Sequence, residues 1–189
     1  MYPPHEPHFQ GRLDVFCAVY AVINALVLTH GISAGKSRQI LHESIMDMAK
    51  DLERFQLQLD QTIEFHTLVD SILNREVLKH DLLISTPYPL EVEAPKDEIW
   101  KTFTRWLNKP HRAIVLRFVR PLDMPGRPEI RHWSTAYLTD ENTIQLYDCS
   151  LEETAIKKIE KETCITTPIG LQPGLVYLDP ASIRLLAAG

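Results

Sequence analysis

The apolar pattern of the chain is densest near its beginning, where almost every position from Phe16 to Leu28 is hydrophobic. A run of this length predicts an α-helix that is buried on most of its sides. Gly31 predicts its end, because glycine readily adopts the left-handed conformation that closes a helix. Asp14 is a suitable N-cap residue, since its carboxylate accepts hydrogen bonds from N–H groups two or three positions later. This cap would place Cys17 at position N3, in the first turn.

Three further helices are predicted from apolar residues that recur at intervals of three and four positions. They extend from Ser37 to about Phe55 with Ser33 or Ser37 as the cap, from Gln61 to about Lys79, and from Asp97 to Asn108. A short strand at 82–84 lies between the last two of these helices. The chain as far as Pro110 is therefore expected to be mainly helical.

After Pro110 the pattern changes to short β-rich runs separated by turn residues. The predicted strands are 113–119, 133–138, 143–147 and 175–178, the last of them bounded by Gly174 and Pro180. Four polar residues, 139–142, predict a hairpin between the second and third strands. The charged segment Glu152–Glu162 is compatible with a short helix or with a solvated loop.

Helices that come first and strands that come afterwards indicate an α+β fold. The length of 189 residues is enough for one domain with a core of its own. We therefore expect a single domain over 1–189. Its helical lobe, at about 12–110, contains the buried helix that carries Cys17, and this lobe packs on a C-terminal antiparallel sheet of four to six strands at about 111–180.

Composition narrows the classes of protein to be considered. The 44% of hydrophobic and 24% of charged residues are ordinary for a globular protein, and the formal net charge of -5 gives no reason to expect a nucleic-acid partner. The N-terminus lacks the basic and apolar regions of a signal peptide, and the longest apolar run is too short to span a bilayer. Three cysteines without a C-x-x-C pair argue against a zinc site and a disulfide framework, and they fit a reducing compartment. These features predict a soluble cytoplasmic protein without a membrane partner, although an effector secreted without a cleavable signal remains an alternative.

Three residues carry candidate chemistry: Cys17, His132 and Asp148. A helix N-terminus stabilises a thiolate through its dipole and its unpaired N–H groups, although a cysteine in an apolar helix is more often a small core residue. The predicted hairpin places position 132 almost opposite position 148, so an imidazole and a carboxylate can meet across the two strands. An imidazole that accepts the thiol proton and a carboxylate that orients the imidazole are what nucleophilic catalysis by a thiol requires.

In order, spacing and local structure, these three motifs resemble the papain-like cysteine peptidase superfamily. They are closest in appearance to the small bacterial branch that includes the bacteriocin-leader peptidases of ABC transporters. The resemblance implies a papain-like fold and a thiol protease that cleaves a peptide or amide bond through a Cys17–His132–Asp148 catalytic triad and an acyl-enzyme. It also implies an oxyanion-hole glutamine upstream of the nucleophile. Gln10 is the candidate for this role, while Arg12 and Asp14 are alternatives for shaping the same site.

Other interpretations remain open. The same constellation serves transglutaminases, glutamine deamidases and other acyl transferases, and a papain-like domain can also be a non-catalytic binding module. Cys149 is a rival nucleophile that lacks a helix terminus. The eight histidines show no metal-ligand spacing, and the sequence contains neither a P-loop nor a dinucleotide fingerprint, so we expect no metal and no cofactor. The expected partner is a peptide or protein substrate, and the oligomeric state is left open.

Overall fold

The computed structural model describes residues 6–9, 16–59, 65–89, 94–122, 129–150 and 156–189. Within these residues the chain forms five helices and seven strands. The helices are α1 (Cys17–His30), α2 (Ala34–Met48), α3 (Leu52–Leu59), α4 (His66–His80) and α5 (Lys96–Leu107). The strands are β1 (Leu82–Ser85), β2 (Arg112–Pro121), β3 (Glu129–Thr139), β4 (Thr143–Leu146), β5 (Lys158–Glu160), β6 (Cys164–Ile165) and β7 (Val176–Ala188). The predicted α+β class is therefore confirmed.

The strands form one sheet in the order β1-β7-β2-β3-β4-β5. The pairs along this path are antiparallel, whereas β6 pairs with β7 in parallel. The predicted antiparallel sheet is confirmed, although it has seven strands where about four to six were expected, and the β6–β7 pairing is parallel. Leu82 of β1 lies opposite Ala188 at the end of the chain, so the helical half of the sequence contributes an edge strand to the sheet.

Side chains of β2 alternate between two hydrophobic cores on opposite faces of the sheet. Ala113 and Val115 belong to the core that α1, α2 and α4 cover. Ile114 and Leu116 belong to the core that α5 covers. The helices therefore enclose the sheet from both sides, and α1 lies on the face opposite to α5.

The first helix is buried along most of its length, as its uniform apolar pattern predicts. Ala18, Val22 and Leu26 are fully buried. α1 packs on β3, where the Thr135 hydroxyl donates a hydrogen bond of 2.6 Å to the main-chain carbonyl oxygen of Ala21. This bond connects the helix that begins at Cys17 directly to the strand that carries His132.

Several element boundaries differ from the sequence prediction. The predicted helix from Ser37 to Phe55 is two helices, α2 and α3, and the Ser33 side chain caps the first by accepting the Lys36 N–H at 3.3 Å. Residues 158–160 form strand β5, which is neither the short helix nor the loop expected there. The helix predicted from Gln61 begins at His66 in the described part of the chain, where it follows the undescribed residues 61–64.

The last strand continues past Pro180, which was expected to end it. Val115 lies opposite Arg184 and Arg117 lies opposite Asp179, so residues 180–183 bulge out of the ladder. A proline is tolerated at such a bulge, because no ladder hydrogen bond needs its missing N–H. Ser182 fills the gap by accepting the Arg117 N–H through its hydroxyl at 2.7 Å.

Gly31 ends α1 as predicted, with φ 61 and ψ 35. An added Cβ would meet no atom within 4 Å, so only the left-handed backbone disfavours a side chain there. We expect Gly31→Ala to lower the free energy of unfolding by about 1 kcal/mol, since an L-residue is strained in this conformation. Urea denaturation followed by circular dichroism measures the change.

Gly35 provides the matched control, because it lies within α2 and a Cβ there makes only an ordinary contact of 3.8 Å with Ser33 Oγ. Gly35→Ala is expected to leave the protein equally stable or to stabilise it by up to about 1 kcal/mol. Equal effects of the two substitutions would contradict the conformational explanation.

Candidate active site

The site begins where α1 begins. Cys17 is the first residue of the helix, and Phe16 is its N-cap residue, without a side-chain capping bond. The Phe16 carbonyl accepts the N–H groups of Val19 and Tyr20 at 2.9 and 3.1 Å. The expectation that Cys17 occupies N3 is therefore wrong by two positions, although the thiol does lie in the first turn. Asp14, the expected cap, lies outside the described residues.

A bulge in β3 determines which side of the hairpin Asp148 faces. Leu138 pairs with Gln145, but Ala136 pairs with Leu146, so Tyr137 is an extra residue on β3. Without this residue the register of the turn would place Asp148 opposite Thr135, whose hydroxyl binds the α1 backbone. The shift by one residue instead places Asp148 opposite Ser134, on the side to which His132 also points.

The hydrogen bonds of Asp148 agree with this register. The Ser134 hydroxyl donates to Asp148 Oδ1 at 2.7 Å, and His132 Nε2 lies 2.8 Å from the same oxygen. His132 and Asp148 thus meet diagonally across the two strands, and not directly opposite each other. β4 ends at Leu146, so the segment 147–150 takes its place beside His132.

Four groups surround the imidazole of His132. Nε2 lies 2.8 Å from Asp148 Oδ1, 3.1 Å from Ser150 Oγ and 3.6 Å from Cys149 Sγ. The thiol of Cys17 lies close enough to interact electrostatically with the ring, and the Cys17 carbonyl oxygen is 3.9 Å from Cys149 Sγ. Cys17, His132 and Asp148, the residues that the sequence analysis joined into one site, are therefore neighbours in the fold, although Asp148 and His132 come from one hairpin and Cys17 from a helix more than a hundred positions earlier.

The electrostatics of the site favour an ion pair between His132 and Asp148. Burial disfavours the charged form of His132, but its hydrogen bonds to Asp148, Cys149 and Cys17 and the negative charge of Cys17 outweigh burial and hold the pKa of His132 well above its usual 6.5. Burial likewise opposes the charge of Asp148. The hydrogen bond and the charge of His132, with hydrogen bonds from Ser134 and Ser150, nevertheless keep the pKa of Asp148 below its usual 3.8.

The directions of these two pKa shifts mean that the pair stabilises the fold at pH values between the pKa of Asp148 and the pKa of His132. The contribution of His132 is complete below pH 6.5 and is lost as the pH rises through its raised pKa. The contribution of Asp148 is complete above pH 3.8 and is lost as the pH falls through its lowered pKa. Imidazolium and carboxylate therefore coexist around neutral pH.

Cys149 is a neighbour of the imidazole whose contact the sequence analysis missed. It is fully buried, and burial raises the pKa of its thiol to about 11, although the hydrogen bond and charge of His132 act in the opposite direction. Its Sγ also lies 3.9 Å from the carbonyl oxygen of Cys17. The sequence feature that could have predicted this contact is the position of Cys149 directly after Asp148. A residue that follows a carboxylate of the site in an irregular segment can also reach the imidazole.

The remaining candidates have different outcomes. Gln10 and Arg12, like Asp14, lie outside the described residues, so the oxyanion-hole assignment stays a prediction. Trp133 is a core residue, only 1% exposed, with its ring 5.2 Å from that of His66. Asn24 has a structural role, because its amide side chain accepts the main-chain N–H of His8 at 2.8 Å and donates to the His8 carbonyl at 3.3 Å.

The ligand atoms of His132, Asp148 and Cys149 all lie within 4.8 Å of one another, so this corner of the site also has the composition of a metal centre. The other histidines were considered as metal ligands from the sequence. In the described ranges they form no comparable group of three or more ligand residues.

Comparison with models of protein families gives no match, and comparison with curated protein sequences gives no significant match. Among the helices that the structure describes, none combines the length and the apolar character needed to span a membrane.

The charge of the His132 ring provides a test of this arrangement. In metal-free protein at pH 7 we expect nitrogen NMR to show His132 as imidazolium. In Asp148→Asn the His132 titration should move to lower pH, because the variant lacks the carboxylate whose interaction with the ring is the largest of those that oppose burial. The ring of His66, which pairs with Asp179 at 3.2 Å, is the internal control and should not change. A His132 titration that is unchanged in Asp148→Asn would show that the carboxylate does not control the charge of the ring.

Proposed function

We propose that the protein is a thiol-dependent hydrolase of the papain-like type, which cleaves a peptide or amide bond with Cys17, His132 and Asp148. The observation that carries this proposal is that one imidazole is hydrogen-bonded to a buried carboxylate at 2.8 Å and interacts electrostatically with the thiol at the first residue of a buried helix. A nucleophile, a proton carrier and an orienting group in contact form the arrangement from which thiol catalysis is built.

The charges around His132 define the resting state in the proposed reaction. The raised pKa of His132 favours the imidazolium, and in the proposed reaction the Cys17 sulfur attacks as the thiolate beside it. Asp148 holds Nε2, which leaves Nδ1 for proton exchange with Cys17 and with the leaving group. The nucleophile, Cys17, and the acid of the reaction, His132, are thus next to each other before the substrate binds.

The first half-reaction forms the acyl-enzyme. The Cys17 sulfur attacks the carbonyl carbon, and the carbonyl electron pair moves onto the oxygen. The main-chain N–H of Cys17, at the beginning of α1, is one donor for this oxyanion, and Gln10 is the second donor that the papain-like resemblance implies. The tetrahedral intermediate collapses as the C–N bond breaks, and His132 gives its proton to the departing amine.

The second half-reaction releases the acyl group. Neutral His132 accepts a proton from water as the water oxygen attacks the thioester carbon. The C–S bond then breaks, and Cys17 leaves as the thiolate beside the newly formed imidazolium. Asp148 stabilises the imidazolium in both halves, since its carboxylate remains hydrogen-bonded to Nε2.

Three features favour Cys17 over Cys149 as the nucleophile. Cys17 retains 7% of its surface exposure, whereas Cys149 has none. Burial raises the pKa of Cys149 to about 11, which keeps that thiol protonated at neutral pH and therefore a poor nucleophile. Cys17 also lies at a helix N-terminus, where the backbone favours negative charge.

Hydrolysis of a library of fluorogenic peptide amides tests the proposal. Cys17→Ala should abolish turnover, because it removes the nucleophile. His132→Asn should lower kcat/KM by about 10²–10⁴, which is the range that a positioned acid–base group contributes. Cys164→Ala is the matched control: this third cysteine is buried in the core that α5 covers, and its removal should leave kcat/KM unchanged.

Alkylation by iodoacetamide tests the thiol independently of the substrate. At pH 7 peptide mapping should find Cys17 alkylated at least about tenfold faster in the native protein than in His132→Asn, because the imidazole that accepts the thiol proton is absent from the variant. Cys149 and Cys164 should stay unlabelled, because burial raises their pKa to about 11 and about 12. Turnover that survives Cys17→Ala, or alkylation that does not respond to His132, would refute the mechanism.

A further inference from the structure

His132 Nε2 has more polar neighbours than thiol catalysis needs. A ring nitrogen carries at most one proton, yet three polar atoms from Asp148, Cys149 and Ser150 converge on it within 3.6 Å. The proposed catalysis uses only the carboxylate. A sulfur, a nitrogen and a carboxylate oxygen that meet at one point are also the ligands from which zinc sites are made.

The distances fit a metal ion at this point. Bonds of about 2.3 Å to sulfur and about 2.0 Å to nitrogen, at a tetrahedral angle, separate the two ligand atoms by about 3.5 Å. Cys149 Sγ and His132 Nε2 are 3.6 Å apart. The two side chains therefore need almost no movement to share a cation.

The carboxylate provides a third ligand. Asp148 Oδ1 already binds His132 and Ser134, whereas Oδ2 is buried and has no hydrogen-bond partner among the described residues. A buried carboxylate oxygen without a partner is costly unless something binds it. Asp148 is only 6% exposed and lies beside the other two ligands, so a cation between them would satisfy this oxygen.

We propose that Cys149, His132 and Asp148 form a binding site for a Zn²⁺-like divalent cation, with the fourth position open. Binding replaces two protons, one from the Cys149 thiol and one from His132 Nε2, and both protons pass to solvent. The metal–sulfur and metal–nitrogen bonds take their places, while Asp148 binds as the carboxylate that it already is. Thiolate and imidazole ligands select zinc over magnesium and calcium, which prefer oxygen.

No metal was expected from the sequence, because the histidines show no short metal-ligand spacing. Here the ligands are an adjacent Asp148–Cys149 pair and a histidine 16 positions before Asp148 on the neighbouring strand. These three residues come together only in the folded hairpin, where the irregular segment after β4 lies beside His132.

The consequence for activity rests on the function proposed above. A cation on Nε2 takes the place of one of the two imidazolium protons and occupies Asp148. His132 is then a neutral imidazole, and the proton that remains on Nδ1 is too weakly acidic to be given to the leaving amine. The metal-bound state is then an inhibited state of the hydrolase, reversed by a chelator.

Cobalt(II) titration of the full chain tests the binding, since thiolate-to-cobalt charge transfer reports a cysteine ligand. We expect one equivalent to bind with this absorption. Cys149→Ser should weaken binding by more than about 100-fold, beyond the 10–100-fold typical for loss of an outer-shell partner. Cys164→Ser, the matched control, should bind as the native chain does. Loss of the band in Cys149→Ser supports the site, whether or not Cys17→Ala also weakens it. A band that persists in Cys149→Ser, or no binding by the native chain, overturns the proposal.

A measurement on the native chain removes any dependence on how the variants fold. X-ray absorption at the zinc edge should find at least one sulfur at about 2.3 Å with nitrogen and oxygen ligands. A shell without sulfur overturns the proposal.

The two proposals fail in distinguishable ways. Peptide hydrolysis by metal-free protein without cobalt binding refutes only the metal site. Cobalt binding to a chain that neither hydrolyses peptides nor shows His132-dependent alkylation of Cys17 refutes only the hydrolase.

Discussion

The contact on which the candidate site depends is the buried hydrogen bond between His132 and Asp148. Burial of two charged groups costs several kcal/mol for each ion, and such a pair is maintained only when further hydrogen bonds compensate the lost hydration. Ser134 and the thiols around the imidazole supply those bonds here. The shifts of both pKa values, upward for the imidazole and downward for the carboxylate, indicate that the interactions outweigh the burial.

This pair exists because of one extra residue in a hairpin. Side chains alternate along a strand, so a register change of one position moves every following side chain to the other face. The bulge at Tyr137 turns Asp148 away from the α1 side and towards Ser134 and His132. Cys149 follows Asp148 directly and reaches the same imidazole at 3.6 Å, so the irregular segment after β4 contributes to both the proposed triad and the proposed metal site.

In the two proposals His132 Nε2 binds either a proton or a metal ion. With a proton on Nε2, His132 is an imidazolium that is held by a carboxylate and can act beside Cys17. With a cation there, the same carboxylate and the Cys149 thiolate become ligands, and the acid of the reaction is lost. Competition between a proton and a metal at one atom would make a hydrolase of this kind sensitive to free zinc, without any change of fold.

The sequence by itself determined the elements whose pattern is strong and local. The uniform apolar run of α1, its glycine end, the α5 helix and the β-rich second half all follow from periodicity and turn chemistry. Sequence order and the resemblance also selected Cys17, His132 and Asp148, because each residue type lies at the end of a predicted element. The boundaries at Cys17, at residues 48–52 and at Pro180 were placed wrongly, since capping and bulges depend on neighbours that a local pattern does not contain.

Only the tertiary structure decided which side chains meet. It placed α5 on the opposite face of the sheet, paired β1 with the last strand, and set the hairpin register through Tyr137. The contact of Cys149 with His132 depends on the irregular segment 147–150 that follows the end of β4. A register shift of one residue moves the side chains of a strand to the opposite face of the sheet. Because the same sequence of a short hairpin is compatible with either register, the hydrophobic pattern alone does not determine the register.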